Sequence, residues 1–212
     1  MPVYELVNEK MLRVQLRGEE VLAKRGAMVA YTGHVDFAPN TLGNEGLSSA
    51  AMRSVTSEQM HLMRASGSGE VLYARRGLHI TIISLSGETL YIESDNVLAF
   101  DNRLRSGTQF QGNQGVQGLV RGAATGQGLW TTTFDGHGEV AMLSDGDAIA
   151  LEVSSEHAVC VDPNAYLGHK GPLQSQFVTD VNWKTLVGQG SGESFQLKFT
   201  GQGTVYIQAS ER

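Results

Sequence analysis

Cysteine and proline are nearly missing from this chain, one and four among 212 residues. A single thiol, Cys160, cannot close a disulfide within the chain, so the fold must rest on its core. Cys160 lies in the apolar run Ala158-Val159-Cys160-Val161 with no base motif beside it, which reads as a buried, inert thiol. Basic charge is also scarce. With 16 Lys and Arg against 22 Asp and Glu, the net charge of -6 disfavours nucleic acid as a partner. The close basic pairs, Lys24-Arg25, Arg75-Arg76 and Arg103-Leu104-Arg105, stand apart from aromatic residues, as solvated strand ends and turns do. No apolar run approaches the roughly 18 residues of a membrane-spanning helix. The opening Met1-Pro2-Val3-Tyr4-Glu5 has no basic stretch followed by an apolar one. A cytoplasmic chain with no transmembrane segment is expected, with peripheral association as the membrane contact left open.

Catalytic signatures are missing too. The six histidines, His34, His61, His79, His137, His157 and His169, form no His-x-His or His-Glu-x-x-His pattern, so a metal would need ligands from distant strands. Gly190-Ser191-Gly192 lies in a polar glycine-rich run, not at the strand-to-helix corner of a nucleophile elbow. The carboxylate pairs Glu19-Glu20 and Asp145/Asp147 are expected in turns, where charge needs no catalytic reason. Trp130 and Trp183 are read as packing residues before ligand-stacking ones. No catalytic residue, cofactor or metal is therefore expected.

Glycine, by contrast, is abundant, at 26 residues. That is about 12% of the chain against a usual ~7%, which favours many tight turns over long helices. The glycines also repeat. Gly67-Ser68-Gly69-Glu70-Val71 returns as Gly136-His137-Gly138-Glu139-Val140, 69 residues on, and as Gly201-Gln202-Gly203-Thr204-Val205, 65 residues further. Two residues before each copy stand Ala65, Phe134 and Phe199, and six before stand His61, Trp130 and Phe195. A second element, Gly18-Glu19-Glu20-Val21, recurs as Gly87-Glu88-Thr89-Leu90, with Glu156-His157-Ala158-Val159 as a divergent third copy. Gly67, Gly69, Gly136, Gly138, Gly201 and Gly203 each precede a strand-like segment, not a helix. A turn or bulge needing positive φ therefore fits them better than a phosphate loop.

Within each copy the apolar residues alternate, as in Leu12, Val14 and Leu16, or Phe195, Leu197 and Phe199. The spacing predicts an all-β chain of three modules, residues 1-70, 71-140 and 141-212, in one compact unit of residues 1-212. Glu45 to Met63 is rich in Ala, Met and Ser and is a candidate short helix. Ser106 to Gln127, with its regularly spaced glycines, is a candidate bulged hairpin.

The ordered set Gly26-Ala27-Met28-Val29-Ala30-Tyr31, Gly69-Glu70-Val71, Gly128-Leu129-Trp130, Gly136-His137-Gly138-Glu139-Val140 and Gly201-Gln202-Gly203-Thr204-Val205-Tyr206-Ile207-Gln208 resembles the altered-inheritance-of-mitochondria family, number twenty-four, in its bacterial members. The family was once filed as a domain of unknown function. Gln202 stands where it often has proline. The resemblance implies three modules like the tryptophan RNA-binding attenuation protein fold, joined edge to edge, and a homo-oligomer with a trimer favoured. Mitochondrial relatives are associated with inner-membrane organisation, which implies a scaffolding role. The leading expectation is a non-enzymatic oligomeric β-scaffold binding a protein or membrane-associated partner. The alternatives are a small-ligand binder with pockets between modules and, last, a metal-dependent enzyme.

Overall fold

A computed structural model describes residues 1–40, 61–110, 130–178 and 196–209. The described residues form sixteen strands: β1 Val3–Asn8, β2 Met11–Lys24, β3 Met28–Asn40, β4 Leu62–Tyr73, β5 His79–Ser86, β6 Leu90–Glu93, β7 Val97–Asp101, β8 Arg105–Phe110, β9 Trp130–Asp135, β10 His137–Ser144, β11 Ile149–Val153, β12 Val159–Val161, β13 Tyr166–Lys170, β14 Leu173–Val178, β15 Gln196–Gly201 and β16 Gly203–Ile207. The one helical element among the described residues is a 3-10 turn, Ser94–Asn96. The strands make three sheets, of seven, six and three, in a pseudo-threefold, repeat-like pattern along an all-β chain.

Contacts divide the chain into two compact units. Residues 1–86, 94–105 and 136–143 form the first, and residues 87–93, 106–135 and 144–212 form the second. The first holds the seven-stranded sheet, in the order β3-β4-β2-β7-β10-β5, with β1 added alongside β2. Its core follows from period-two alternation: Leu12, Val14 and Leu16 of β2 point inward with Val71 and Tyr73 of β4, while Arg13 and Gln15 point away. Ile80, Leu98, Ala99, Ala141 and Leu143 complete it. Burying each of the larger aliphatic side chains contributes about 1.5–3 kcal/mol. The second unit holds the sheet β11-β16-β13-β6-β9-β8 and the sheet β12-β15-β14. Val153, Val161, Tyr166, Leu197, Phe199 and Val205 form a core there.

The register shows the repeat directly. Val21 faces Ala65, Leu90 faces Phe134 and Val159 faces Phe199, so β2, β6 and β12 meet their return strands at the same place in each module. A second strand pairing agrees: Tyr31 faces Val71, Phe100 faces Val140 and His169 faces Val205. Two expectations need correction. Cys160 is exposed. In the short strand β12 the alternation turns Val161 inward and Cys160 outward, so the apolar run is not buried as a block. Glu19 and Glu20 lie within β2, where its register against β4 shifts between Arg17 and Glu20, not in a turn between strands. Of the candidate helix at 45–63, residues 45–60 lie outside the described residues, and Leu62 and Met63 open β4. Of the candidate hairpin at 106–127, residues 106–110 belong to β8 and the rest lies outside the described residues.

Candidate interaction surface

The repeated glycines occupy strand bends. Gly67, Gly136 and Gly201 have φ of 123°, 120° and 114°, a region closed to most side chains. Their partners Gly69 and Gly203 have another reason to lack a side chain: a Cβ on Gly69 would strike the Thr32 carbonyl oxygen, and one on Gly203 the Lys170 carbonyl oxygen. At Gly138 the nearest atoms would be Asp101 Cβ at 3.0 Å and Leu104 Cγ at 3.1 Å. The first bend lies inside the continuous strand β4. The second falls between β9, in the six-stranded sheet, and β10, in the seven-stranded one. The third falls between β15 and β16, again in different sheets. None of these glycines stands at the start of a helix.

Buried polar groups lie elsewhere. His169 on β13 is almost fully buried, stacked on Tyr91 with ring centroids 4.5 Å apart and packed against Phe199 at 5.4 Å. The Tyr166 hydroxyl meets His169 Nδ1 at 2.6 Å. Burial lowers the His169 pKa to about 4. Burial, with Glu93 and Tyr91 adding to it, pushes the Tyr166 phenol far up, so both partners of this contact are uncharged at neutral pH. The pair is packed among the Tyr91 and Phe199 rings. Asp101 at the end of β7 is also buried, and Arg103 clamps it through Nε to Oδ1 at 3.0 Å and Nη2 to Oδ2 at 2.7 Å. The Tyr4 hydroxyl is buried without a hydrogen-bond partner among the described residues, its pKa raised by burial first and by Asp101 next.

The remaining polar candidates are scattered. His34, His61, His137 and His157 are exposed, His79 is half-buried beside Glu9, and Asp145 and Asp147 are exposed near a turn. No group of three His, Cys, Asp or Glu suited to a metal ion occurs among the described residues. Lys24 ends β2 and reaches Asp95 at 3.1 Å, and Arg25 and Arg76 sit in turns. Trp130 opens β9, while Trp183 and Gly190-Ser191-Gly192 lie outside the described residues.

What stands out instead is one sheet edge. Among the described residues, β3 ends the seven-stranded sheet, paired with β4 on one side only. Met28 is 43% exposed, Val29 54% and Tyr31 50%. The residues at the same place in the other modules are Val97, Leu98 and Phe100 on β7 and Tyr166, Leu167 and His169 on β13, and all six are buried. Sequence reasoning does not single out this edge. The aromatic ring shared by positions 31, 100 and 169 is the signal that could find it. The Tyr31 ring packs edge-on against Phe37 at 5.1 Å, on its own strand. A long apolar edge free of Lys and Pro over Met28–Asp36 is the kind of surface that solitary β-proteins usually blunt. Val3, Leu6 and Val7 of β1 and Ile149 of β11 are further exposed apolar residues.

Fold and site together define an all-β protein of repeated modules with an open sheet edge and no metal-holding cluster among the described residues. The chain belongs to the mitochondrial biogenesis AIM24 family, whose model matches residues 4–210. Its fold is similar to that of protein SPYM3_0169 from Streptococcus pyogenes, known from an X-ray crystal structure. The two are 21% identical with a TM-score of 0.71, over 100% of this chain and 94% of that one. No curated protein matches the chain. No helix among the described residues is long and apolar enough to cross a membrane.

Proposed function

We propose that this protein is a non-enzymatic scaffold that works as a homo-oligomer, a trimer, and presents its outer strands to a protein or membrane-associated partner. The carrying observation is the exposure of Met28, Val29 and Tyr31 on an edge strand whose counterparts in the other modules are buried. An edge of this kind is covered most simply by a second strand from a like molecule. In this reading the chain acts as one three-module body, and the paired glycines at 67/69, 136/138 and 201/203 hold each module's return strand in its bend. Light scattering against the 22.8 kDa chain tests it. A discrete species near three times the chain mass supports the scaffold. A monodisperse single chain at tens of micromolar overturns it.

A further inference from the structure

Modules are joined to one another by a short antiparallel pairing, and the chain makes it in two places. Val21, Leu22 and Ala23 of β2 face Asp101, Phe100 and Ala99 of β7. Leu90, Tyr91 and Ile92 of β6 face Lys170, His169 and Gly168 of β13. Every residue in the second set is 69 positions beyond its counterpart in the first. Two junctions with one register define a rule: the segment at 21–23, or its repeat, receives the segment at 99–101, or its repeat.

Among the described residues, the chain's three modules leave one donor and one acceptor unused. The unused acceptor is β12, Val159–Val161, an edge of its three-stranded sheet that pairs with β15 alone. The unused donor is β3, the edge of the seven-stranded sheet. Exposure agrees at both ends. Cys160, at the place held by the buried Leu22, is exposed, and Tyr31, at the place held by the buried Phe100, is half in solvent. Neither Ala30–Thr32 nor Val159–Val161 carries a charge, so no repulsion opposes their meeting.

Resting on the scaffold reading, we infer that β12 of one copy pairs antiparallel with β3 of the next, continuing the junction already made twice inside the chain. The register places Val159 opposite Thr32, Cys160 opposite Tyr31 and Val161 opposite Ala30. The partner is therefore a second copy of this chain, docked head to tail. Because donor and acceptor are different surfaces, the contact is heterologous, and the trimer of the scaffold reading requires its rotation to close into a ring. In the second of the existing junctions the pair at this position touches side chain to side chain, Tyr91 stacking on His169. Residues directly opposite in an antiparallel pair have Cα atoms about 4.5–5.5 Å apart, within disulfide range.

Cys160 is the chain's own cysteine, so one substitution supplies the test. Tyr31→Cys, purified reduced and treated with diamide, should lose its monomer band on a non-reducing gel to dimers and higher multiples. Diamide takes the two electrons as the paired thiols form the bond. Ala30→Cys presents its thiol on the opposite face of the same strand and should keep its monomer band. Tyr31→Cys combined with Cys160→Ser should keep it too. The native mass of reduced Tyr31→Cys separates two kinds of failure. An oligomer that resists crosslinking overturns this register and leaves the scaffold standing, and a single chain overturns both. A disulfide formed within one chain overturns the pairing between copies.

Discussion

Residues 28–32, 97–101 and 166–170 hold the same place in three modules, yet the first run is exposed throughout, the second is wholly buried and the third is buried except for Lys170. Composition does not explain the contrast, since Met-Val-Ala-Tyr-Thr is about as apolar as Val-Leu-Ala-Phe-Asp or Tyr-Leu-Gly-His-Lys. The neighbours do. β7 lies between β2 and β10, and β13 lies between β6 and β16, whereas among the described residues β3 has β4 alone. An apolar strand left open at one end of a repeat is a surface still to be covered, and the covering strand is recognisable from the pairings its counterparts make.

The sharpest way to break the comparison is to put a charge at matched positions. Leu98→Lys buries an unpaired ammonium and should cost about 4 kcal/mol or more, enough to prevent folding. Val29→Lys should leave the unfolding free energy of the separate chain within about 0.5 kcal/mol while reducing the native mass to one chain. Urea denaturation and light scattering on both variants read the two effects. Equal damage at both positions would remove the distinction between a filled junction and an open one.

A smaller effect comes from His169, which replaces the Phe100 and Tyr31 of the other modules. Its folded pKa of about 4 lies below the ordinary 6.5, so the unfolded chain takes up a proton first as the pH falls. Stability is therefore full above pH 6.5, declines between 6.5 and about 4, and is level with respect to this group below that. The loss amounts to about 3 kcal/mol at most, since a tenfold change in proton affinity is worth about 1.4 kcal/mol. His169→Phe should flatten that decline, at a cost of about 1–3 kcal/mol at neutral pH from the unpaired Tyr166 hydroxyl. Urea midpoints across pH 4–7 measure both.

Bends can be compared in the same way. Gly67→Ala meets both positive φ and the His34 carbonyl oxygen, whereas Gly136→Ala meets positive φ and only Leu104 Cδ2, at 3.6 Å. Each strained backbone costs about 1–3 kcal/mol, so thermal denaturation should place Gly67→Ala at or above the top of that range and Gly136→Ala near the bottom. The smallest effect is chemical. Cys160 should react quickly with a maleimide in Val29→Lys and slowly in the assembled native protein, because Tyr31 of the next copy covers it.

Much of this architecture is legible because glycine reports backbone geometry. The Gly-x-Gly copies mark the same bend three times, and the residues two before them, Ala65, Phe134 and Phe199, do face equivalent strands. Alternation places Leu12, Val14 and Leu16 inside. Cys160 misleads because a short apolar run looks the same whether a strand is central or at an edge, and only pairing tells them apart. Glu19 and Glu20 mislead because a bulge glycine such as Gly18, with φ of 99°, has the same sequence signature as a turn glycine. The buried Tyr166–His169 pair gives no motif at all, since its partners Tyr91 and Phe199 come from strands far apart in the chain.

Amide hydrogen exchange across the three matched segments tests the central claim most directly. In the assembled protein, the amides of Met28–Thr32 that face away from β4 should exchange as slowly as those at 97–101 and 166–170. They should become fast in Val29→Lys while the other two segments stay slow. Fast exchange at 28–32 in the native protein, beside two slow segments, would mean that the edge stays open, and would contradict the account.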